Sequence, residues 1–251
     1  MRMRRKKNLD ERLAACKPVL LYMQCQNEHA GDPLSEEFFV SSRKTFGNDN
    51  PLYLEIGCGK GGFAVEFAKR NPEINLVAIE KTPNVLVTGA EEEMRLQLPN
   101  LRFCMGQAEY LDHMFHEHTV DRLFLNFSCP FPKKQYANHR LTHVRFLEIY
   151  RRILKNGAEI HQKTDNMHFF EFSIEQFSAN GFPMKNVSLD LHNSGFGCDR
   201  MSHSQRQEGG TDAAQQSVGW DIITEYEKRF SDLGQPIYRL EAVNGGLDNG
   251  K

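Results

Sequence analysis

The chain has 251 residues, of which 39% are hydrophobic, 10% aromatic and 25% charged, and its formal net charge is −2. These values are typical of a globular protein with a buried core, and they exclude fibrous and wholly disordered chains. No apolar run approaches the roughly 20 residues of a membrane-spanning helix, and no apolar segment follows the basic start of the chain. We therefore expect a cytoplasmic protein with neither a membrane span nor a secretory signal.

Short apolar runs alternate with longer helical patterns, which predicts βαβ units and a mostly parallel sheet. The predicted strands are Leu52 to Ile56, Leu76 to Glu80, Leu101 to Met105, Arg122 to Phe127, Ala158 to Gln162, Met184 to Leu189 and Ile237 to Leu240. The predicted helices are Gly61 to Arg70, Asn84 to Leu98, Glu109 to His113, Leu141 to Lys155 and Met167 to Ala179. This order predicts an α/β fold with a seven-stranded, doubly wound, Rossmann-like sheet whose ligand lies at the carboxyl ends of the strands.

Composition divides the chain into three parts, the second of which contains an insertion. Residues 1–30 are expected to be a basic N-terminal arm and residues 31–244 the folded domain. Residues 195–218 are rich in Ser, Gln, Gly and Asp, which predicts a flexible insertion, and residues 245–251 are expected to be a disordered tail.

Positive charge is concentrated in two stretches of this nearly neutral chain. Met1 to Arg12 has a net charge of +4, and Cys129 to Lys155 has a net charge of +6. Basic stretches on an otherwise acidic protein are consistent with a polyanionic partner, although a solvated tail and a surface helix explain them equally well.

The cysteine and histidine patterns indicate no metal site. Six cysteines are present without a CxxC pair, so we expect reduced thiols. His113, His116 and His118 cluster in a segment with no nearby thiol, which favours a solvated turn.

A glycine-rich turn follows the first predicted strand. Gly57, Gly59 and Gly62 satisfy the GxGxxG spacing, and Glu80 ends the second strand, where an acid would bind a ribose hydroxyl. This spacing alone also fits a dinucleotide. Glu55 favours S-adenosylmethionine instead, because a carboxylate at the strand end attracts a cationic cofactor and repels a pyrophosphate.

The loop after the fourth strand reaches the same edge of the sheet. Its sequence, Asn126 to Lys134, contains two prolines that stiffen the backbone, and Phe131 is suited to stack on a base. Lys133 and Lys134 follow and are suited to bind phosphates, although a purely structural proline loop would have the same residues.

From Tyr53 to Leu240 the chain resembles the bacterial single-chain tRNA (guanine-N7-)-methyltransferases. The resemblance depends on the order and spacing of several motifs: Glu55 to Gly61, Ala78 to Glu80, Asn126 to Lys134, Arg140 to Thr142, Lys163 to Asn166, Asp190 to His192, Thr224 to Glu227 and Pro236 to Leu240. It implies a class I S-adenosylmethionine-dependent methyltransferase that methylates N7 of a guanine in the variable loop of tRNA.

The family pattern implies roles for particular residues. The expected cofactor-binding residues are Glu55, Gly57, Gly59, Glu80, Gln107, Ala108, Asn126 and Cys129. The expected tRNA-binding residues are Lys133, Asp165, Thr224 and Glu227. Asp165 follows the fifth strand, where its carboxylate can accept hydrogen bonds from guanine N1 and N2, but it is also placed to cap the next helix.

The chain departs from the family in its proline loop. Cys129 replaces the family's aspartate, usually called catalytic, Phe131 replaces a tryptophan, and Gln107 replaces an acid near the adenine. Guanine N7 has an in-plane lone pair and no proton, so methyl transfer requires alignment more than a general base. We therefore expect an active enzyme.

Three other functions are compatible with the sequence. The chain could bind tRNA without turnover, or Cys129 could be the nucleophile of a cytosine-5 RNA methyltransferase, although the cysteine here precedes rather than follows a proline. The third is a nicotinamide oxidoreductase, which the GxGxxG spacing also fits. The sequence leaves open whether the protein is a monomer or a homodimer.

Overall fold

Eight strands form a single sheet in the computed structural model, which describes residues 4–22, 39–193, 219 and 221–245. The strands are β1 (Leu20–Tyr22), β2 (Leu52–Ile56), β3 (Asn75–Glu80), β4 (Leu101–Met105), β5 (Val120–Asn126), β6 (Leu154–Thr164), β7 (Met184–Ser188) and β8 (Tyr238–Val243). Their order is β1-β4-β3-β2-β5-β6-β8-β7. The first six strands are parallel, β8 is antiparallel to β6, and β7 is antiparallel to β8. The expected α/β fold is confirmed.

Among the described residues, six α-helices connect or flank these strands. They are α1 (Leu9–Ala15), α2 (Gly62–Arg70), α3 (Pro83–Leu96), α4 (Val144–Ile153), α5 (Met167–Ala179) and α6 (Glu225–Asp232). Three short 3-10 helices cover Lys17–Val19, Ala108–His113 and Lys134–His139, and one π-helical turn covers Ser42–Phe46. No helix within the described residues is long and apolar enough to cross a membrane.

The helices bury apolar residues against both faces of the sheet. On one face, side chains of α1, α2 and α3 pack with strand residues around Phe67 and Phe103. On the other face, α4 and α5 pack around Phe146 and Phe170. In α4 the buried residues Phe146, Leu147, Tyr150 and Ile153 share one helical face, while Arg145, Glu148, Arg151 and Arg152 lie outside the core. Burial on both faces explains why the central strands are continuously apolar.

The sheet has one strand more than the sequence predicts, and that strand comes from the segment expected to be an arm. β1 pairs with β4 at the edge of the sheet, and α1 packs on α3. Arg12 forms an ion pair with Glu91 at 2.6 Å, and Leu9 and Leu13 are buried. A three-residue strand is too short to give a recognisable pattern in sequence, and its partner strand is distant along the chain.

Several element boundaries differ from expectation by a few residues, most clearly between α4 and β6, and one helix was not predicted. α4 ends at Ile153 and β6 begins at Leu154, because Asn244 accepts from the Gly157 amide and donates to the Leu154 carbonyl, which holds the start of β6 against the end of β8. α6 was not expected as a helix. The predicted insertion at 195–218 and the end of the predicted tail, 246–251, lie outside the described residues.

Candidate active site

A cavity of about 850 Å³ lies at the carboxyl ends of β2 to β5. This volume is within the range of pockets that enclose a small molecule. β2 and β5 are adjacent in the sheet although β3 and β4 separate them in sequence, so the strand order reverses between them. Crevices at such reversals are the usual ligand sites of open α/β sheets. The cavity is therefore in the position that the sequence predicts.

The glycine turn forms the floor of this cavity. Gly57 and Gly59 have φ angles of +78° and +59°, which residues with a Cβ rarely adopt. The amides of Gly57 and Cys58 both donate to the Ile79 carbonyl, at 2.8 and 3.0 Å. These main-chain hydrogen bonds hold the turn, which follows β2, against the end of β3.

Glu55 is a buried carboxylate at the end of β2. Its Oε1 accepts a hydrogen bond from Asn126 Nδ2 at 3.1 Å, while its Oε2 is buried with no hydrogen-bond partner among the described residues. Burial, with a smaller contribution from the nearby Glu80 carboxylate, raises the pKa of Glu55 to about 7 although the Asn126 hydrogen bond acts to lower it. An unpaired buried carboxylate oxygen in a cavity wall is suited to bind a cation.

Glu80 is held in a different way. Its Oε1 accepts from the Thr82 amide at 2.8 Å and its Oε2 accepts from the Gly59 amide at 3.3 Å. These bonds orient the carboxylate at the cavity wall and leave lone pairs for ligand hydroxyl groups. Gln107 and Ala108 line the cavity beside it, and Gln107 is exposed. These residues therefore fit a ligand with a cation, a ribose and a base.

The proline loop forms the opposite wall, and its backbone is strained. Phe127 and Phe131 have φ angles of +52° and +40°, which are uncommon for residues other than glycine. Arg140 donates to the carbonyls of Pro130 and Phe131, both at 3.0 Å, and its guanidinium lies 4.4 Å from the Phe172 ring centre. Arg140 thus maintains a conformation that the loop would not adopt alone.

Two side chains of this loop line the cavity. Ser128 Oγ is buried and has no hydrogen-bond partner among the described residues, and Cys129 is an exposed free cysteine. Because burial of an unpaired hydroxyl is unfavourable, Ser128 is suited to a polar ligand atom.

Three of the seven basic side chains between Cys129 and Lys155 form ion pairs within the protein. Arg145 pairs with Glu109, Arg152 with Asp112 and Lys155 with Asp121. Arg140 and Arg151 donate to backbone carbonyl groups, which orient these side chains without neutralising their charge. Within the described part of the chain, the side chains of Lys133 and Lys134 have no such partner, and both residues are exposed. These two lysines are therefore the basic side chains of this stretch that are most available to an anionic partner.

α6 reaches the cavity with its first turn. Thr224 caps the helix: its hydroxyl accepts from the Glu227 amide at 2.9 Å, in a reciprocal capping box. Glu225 pairs with Lys60 of the glycine turn at 3.0 Å. Tyr226 is exposed and lines the cavity. Glu227 is fully buried and pairs with the equally buried Lys163 of β6 at 3.0 Å.

The structure brings together most of the predicted site residues. Nine of the twelve line the cavity: Glu55, Gly57, Gly59, Glu80, Gln107, Ala108, Asn126, Cys129 and Thr224. Lys133, Asp165 and Glu227 are not among the lining residues. Asn166, not Asp165, caps α5, because its Oδ1 accepts from the Phe169 amide. Binding of the substrate by the four tRNA residues stays a prediction.

Several lining residues were absent from the predicted site. Those with polar or charged side chains include Lys6, Lys60, Ser128, Tyr226 and Arg229. The Thr-x-x-Glu spacing of Thr224 and Glu227 is a capping-box signal, so the helix that contains Tyr226 and Arg229 was detectable in the sequence. Nothing in the local sequence indicated that Lys6 reaches the cavity.

One group outside the cavity has metal-ligand chemistry. Ligand atoms of Glu159, His161 and Glu241 lie within 4.8 Å of one another and are buried. Arg122 and Lys185 bind the Glu159 carboxylate at 2.9 and 2.5 Å, which identifies the group as an ion-pair network. That the protein contains no metal stays a prediction.

Comparisons with known proteins agree on the family. A family model described as a putative methyltransferase matches residues 49–240. A tRNA (guanine-N(7)-)-methyltransferase of Geobacillus sp. (strain WCH70) is 40% identical over 241 residues, which are 96% of this chain and 94% of that protein. A protein of the same name from Listeria monocytogenes serovar 1/2a is 42% identical over 207 residues, 82% and 86% of the two chains. One from Brevibacillus brevis is 40% identical over 80% of this chain and 84% of its own.

Solved structures with the same fold are more distant in sequence. An antibiotic-related methyltransferase has a TM-score of 0.51 at 15% identity, covering 79% of this chain and 88% of its own. The 16S rRNA methyltransferase KamB has a TM-score of 0.50 at 14% identity, covering 77% and 86%. At such identities the likeness concerns the fold alone.

Proposed function

The chain belongs to the tRNA (guanine-N7-)-methyltransferase family, and we propose that it transfers a methyl group from S-adenosylmethionine to N7 of a guanine in the variable loop of tRNA. The observation that carries this proposal is the unpaired, buried Oε2 of Glu55 in the wall of a cavity shared with the proline loop and α6. A carboxylate in this position attracts a cationic methyl donor. A cytoplasmic location follows from the proposal, since the substrate is tRNA.

The chain's own residues supply binding and orientation. S-adenosylmethionine, when bound, supplies an electrophilic methyl group on a sulfonium centre. Glu55, which Asn126 orients, would bind the cationic end, Glu80 would accept from the ribose hydroxyls, and Gln107 would bond the adenine.

The substrate side needs no general base. Guanine N7 attacks through a lone pair that carries no proton, so rate depends on alignment and on exclusion of water. Cys129 in place of a carboxylate is compatible with this chemistry. We propose that Asp165 accepts from guanine N1 and N2, and that Lys133 binds phosphates of the tRNA. Thr224 and Glu227 contribute to substrate binding indirectly, because they hold the first turn of α6 in place.

The test is methyl transfer to unmodified tRNA. Purified protein, labelled S-adenosylmethionine and a transcribed tRNA are expected to yield 7-methylguanosine in the nuclease digest, detected by mass spectrometry. A transcript with adenine in place of the variable-loop guanine is the matched control and is expected to give none.

Two other outcomes would identify the alternatives. Tight tRNA binding with no methylated product would establish a binding protein without turnover. Formation of 5-methylcytidine that disappears in Cys129→Ser would establish a covalent mechanism, whereas N7 transfer is expected to persist in that variant within about threefold.

A further inference from the structure

An exposed aromatic ring lies at the mouth of the cavity. Tyr226, on the first turn of α6, is 58% exposed and lines the cavity. Its ring is nearly parallel to that of Phe127, with 20° between the planes and 6.3 Å between the centroids. Phe230, one turn along α6, stacks on Tyr226 at 6.4 Å. A large exposed ring supported by two others is suited to contact a flat ligand.

Both elements that present the rings are held firmly. The Phe127 amide donates to the Lys163 carbonyl at 2.9 Å, and its backbone keeps a φ of +52°. The first turn of α6 is fixed by the buried pair of Lys163 and Glu227 and by the capping box at Thr224. Lys163 therefore ties both rings to the same point of β6, through its carbonyl and through its ammonium. Such preorganisation lowers the entropic cost of binding.

The rings lie close to the residues expected to bind the methyl donor. Phe127 directly follows Asn126, whose amide bonds the Glu55 carboxylate. Phe127 is thus adjacent in the chain to the group that orients the cation-binding carboxylate, and Tyr226 is brought to it by the ring contact. A base that receives a methyl group must leave its own stack, and aromatic side chains commonly replace the stacking that it loses.

We propose that the Tyr226 ring stacks on the target guanine and holds it for methyl transfer, with Phe127 and Phe230 supporting the ring. This inference rests on the proposed function and assigns the residue that holds the base within it. Stacking depends on the ring and not on the phenol hydroxyl, which separates this role from hydrogen bonding.

Kinetics of three variants test the assignment. Tyr226→Ala is expected to lower kcat/KM for tRNA by about 10- to 100-fold, in line with the loss of one stacked base, and to leave the KM for S-adenosylmethionine unchanged. Tyr226→Phe keeps the ring and is expected to stay within about threefold of the parent. Tyr22→Ala removes another exposed tyrosine, from the edge strand β1, and is the matched control. A Tyr226→Ala enzyme within threefold of the parent, or a Tyr226→Phe enzyme as impaired as Tyr226→Ala, would overturn the proposal.

A fluorescence measurement tests stacking without turnover. The native chain contains one tryptophan, Trp220. In Tyr226→Trp, the added emission is expected to be quenched by a tRNA transcript and restored when the variable-loop guanine is replaced by an abasic site, with the parent protein supplying the Trp220 baseline. Equal quenching by the intact and abasic transcripts would overturn the proposal. If the parent forms no 7-methylguanosine, the proposed function fails, and the quenching still decides whether Tyr226 contacts the base.

Discussion

The two sides of the cavity are held in place by different forces. The cofactor side is built by main-chain hydrogen bonds, from the amides of Gly57 and Cys58 to β3 and from those of Gly59 and Thr82 to the Glu80 carboxylate. All of these groups belong to one βαβ unit, β2-α2-β3, and to the loop that follows β3. Their positions depend little on any single side-chain pair.

The substrate side is held mainly by the side chains of charged residues. Lys163 on β6 binds Glu227 on α6, and Arg140 binds the carbonyls of the proline loop. The difference implies that single substitutions can loosen the substrate side while the cofactor side stays intact. Cofactor affinity and tRNA affinity should therefore respond to separate sets of variants.

The largest effect is expected when the buried ion pair is broken. Lys163→Met removes the lysine partner of the buried Glu227 carboxylate and leaves it beside His192, whose Nε2 is 3.2 Å away; this should lower the free energy of unfolding by about 3–5 kcal/mol in urea titrations. Cofactor affinity, measured below the unfolding transition, should change little. Lys155→Met, which breaks a surface pair with Asp121, is the control and should cost at most about 1 kcal/mol.

Removing both charges sharpens the same prediction. The double variant Lys163→Met/Glu227→Met should recover most of the lost stability, because no buried charge remains unpaired. A loss in the single variant no larger than that of Lys155→Met would show that the pair does not hold α6.

The cofactor side should respond most to Glu55→Gln. The amide keeps the shape but not the charge, so S-adenosylmethionine should bind about 10- to 100-fold more weakly in calorimetric titrations, while the Kd for tRNA stays the same. Glu66→Gln, at an exposed glutamate of α2 paired with Arg70, is the control and should leave both affinities unchanged. Equal weakening of tRNA binding by Glu55→Gln would mean that the two sides are not separable.

The pH dependence of cofactor binding follows from the same carboxylate. Because burial raises the pKa of Glu55 to about 7 in the free protein, its protonated form predominates below pH 7 and cannot pair with a cation. Affinity for S-adenosylmethionine should fall about tenfold per pH unit below 7 and level off above 8. Binding at pH 7 should release protons, seen as calorimetric heats that differ between buffers. A flat profile in the parent would contradict the prediction, and Glu55→Gln should be flat.

The same shift affects stability in the opposite direction. The folded-state pKa of Glu55 lies above the unfolded value, so its contribution to stability is present below pH 4.5 and is lost as the pH rises through 7. A bound cation reverses this loss. The protein should therefore gain more thermal stability from S-adenosylmethionine at pH 8 than at pH 6.

The smallest effect is expected at an exposed ion pair that joins the glycine turn to α6. Lys60 and Glu225 are both mostly exposed, so Glu225→Gln should change either affinity less than about fivefold at low salt. The difference should vanish at 0.5 M salt, because screening weakens exposed pairs. A change above tenfold would show that the two sides are coupled through this contact.

The cofactor side was predictable because its signals are local. The strand Leu52–Ile56 was predicted with its observed bounds, and the glycine turn and the acids at 55 and 80 follow from strand ends that lie at one edge of a parallel sheet. α5 (Met167–Ala179) was also predicted to the residue, since its apolar pattern is long and uninterrupted. The helix α6 was missed although its capping box was visible.

The charge of the proline-loop region shows where such reasoning fails. A count of lysines and arginines predicts a basic patch, but the acids that neutralise Arg145, Arg152 and Lys155 lie elsewhere in the chain. The helix and strand within residues 9–22 were not predicted for the same reason, because β1 is defined by its pairing with β4, which is distant in sequence.

By itself the sequence determined the α/β sheet, the family and the position of the cofactor turn, because hydrophobic periodicity and glycine spacing act over a few residues. Only the tertiary structure decided which charges remain available to a partner, that Glu227 is buried against Lys163, and that Tyr226 and Phe127 place parallel rings at the cavity. Those facts depend on contacts between residues far apart in the chain, which no local pattern encodes.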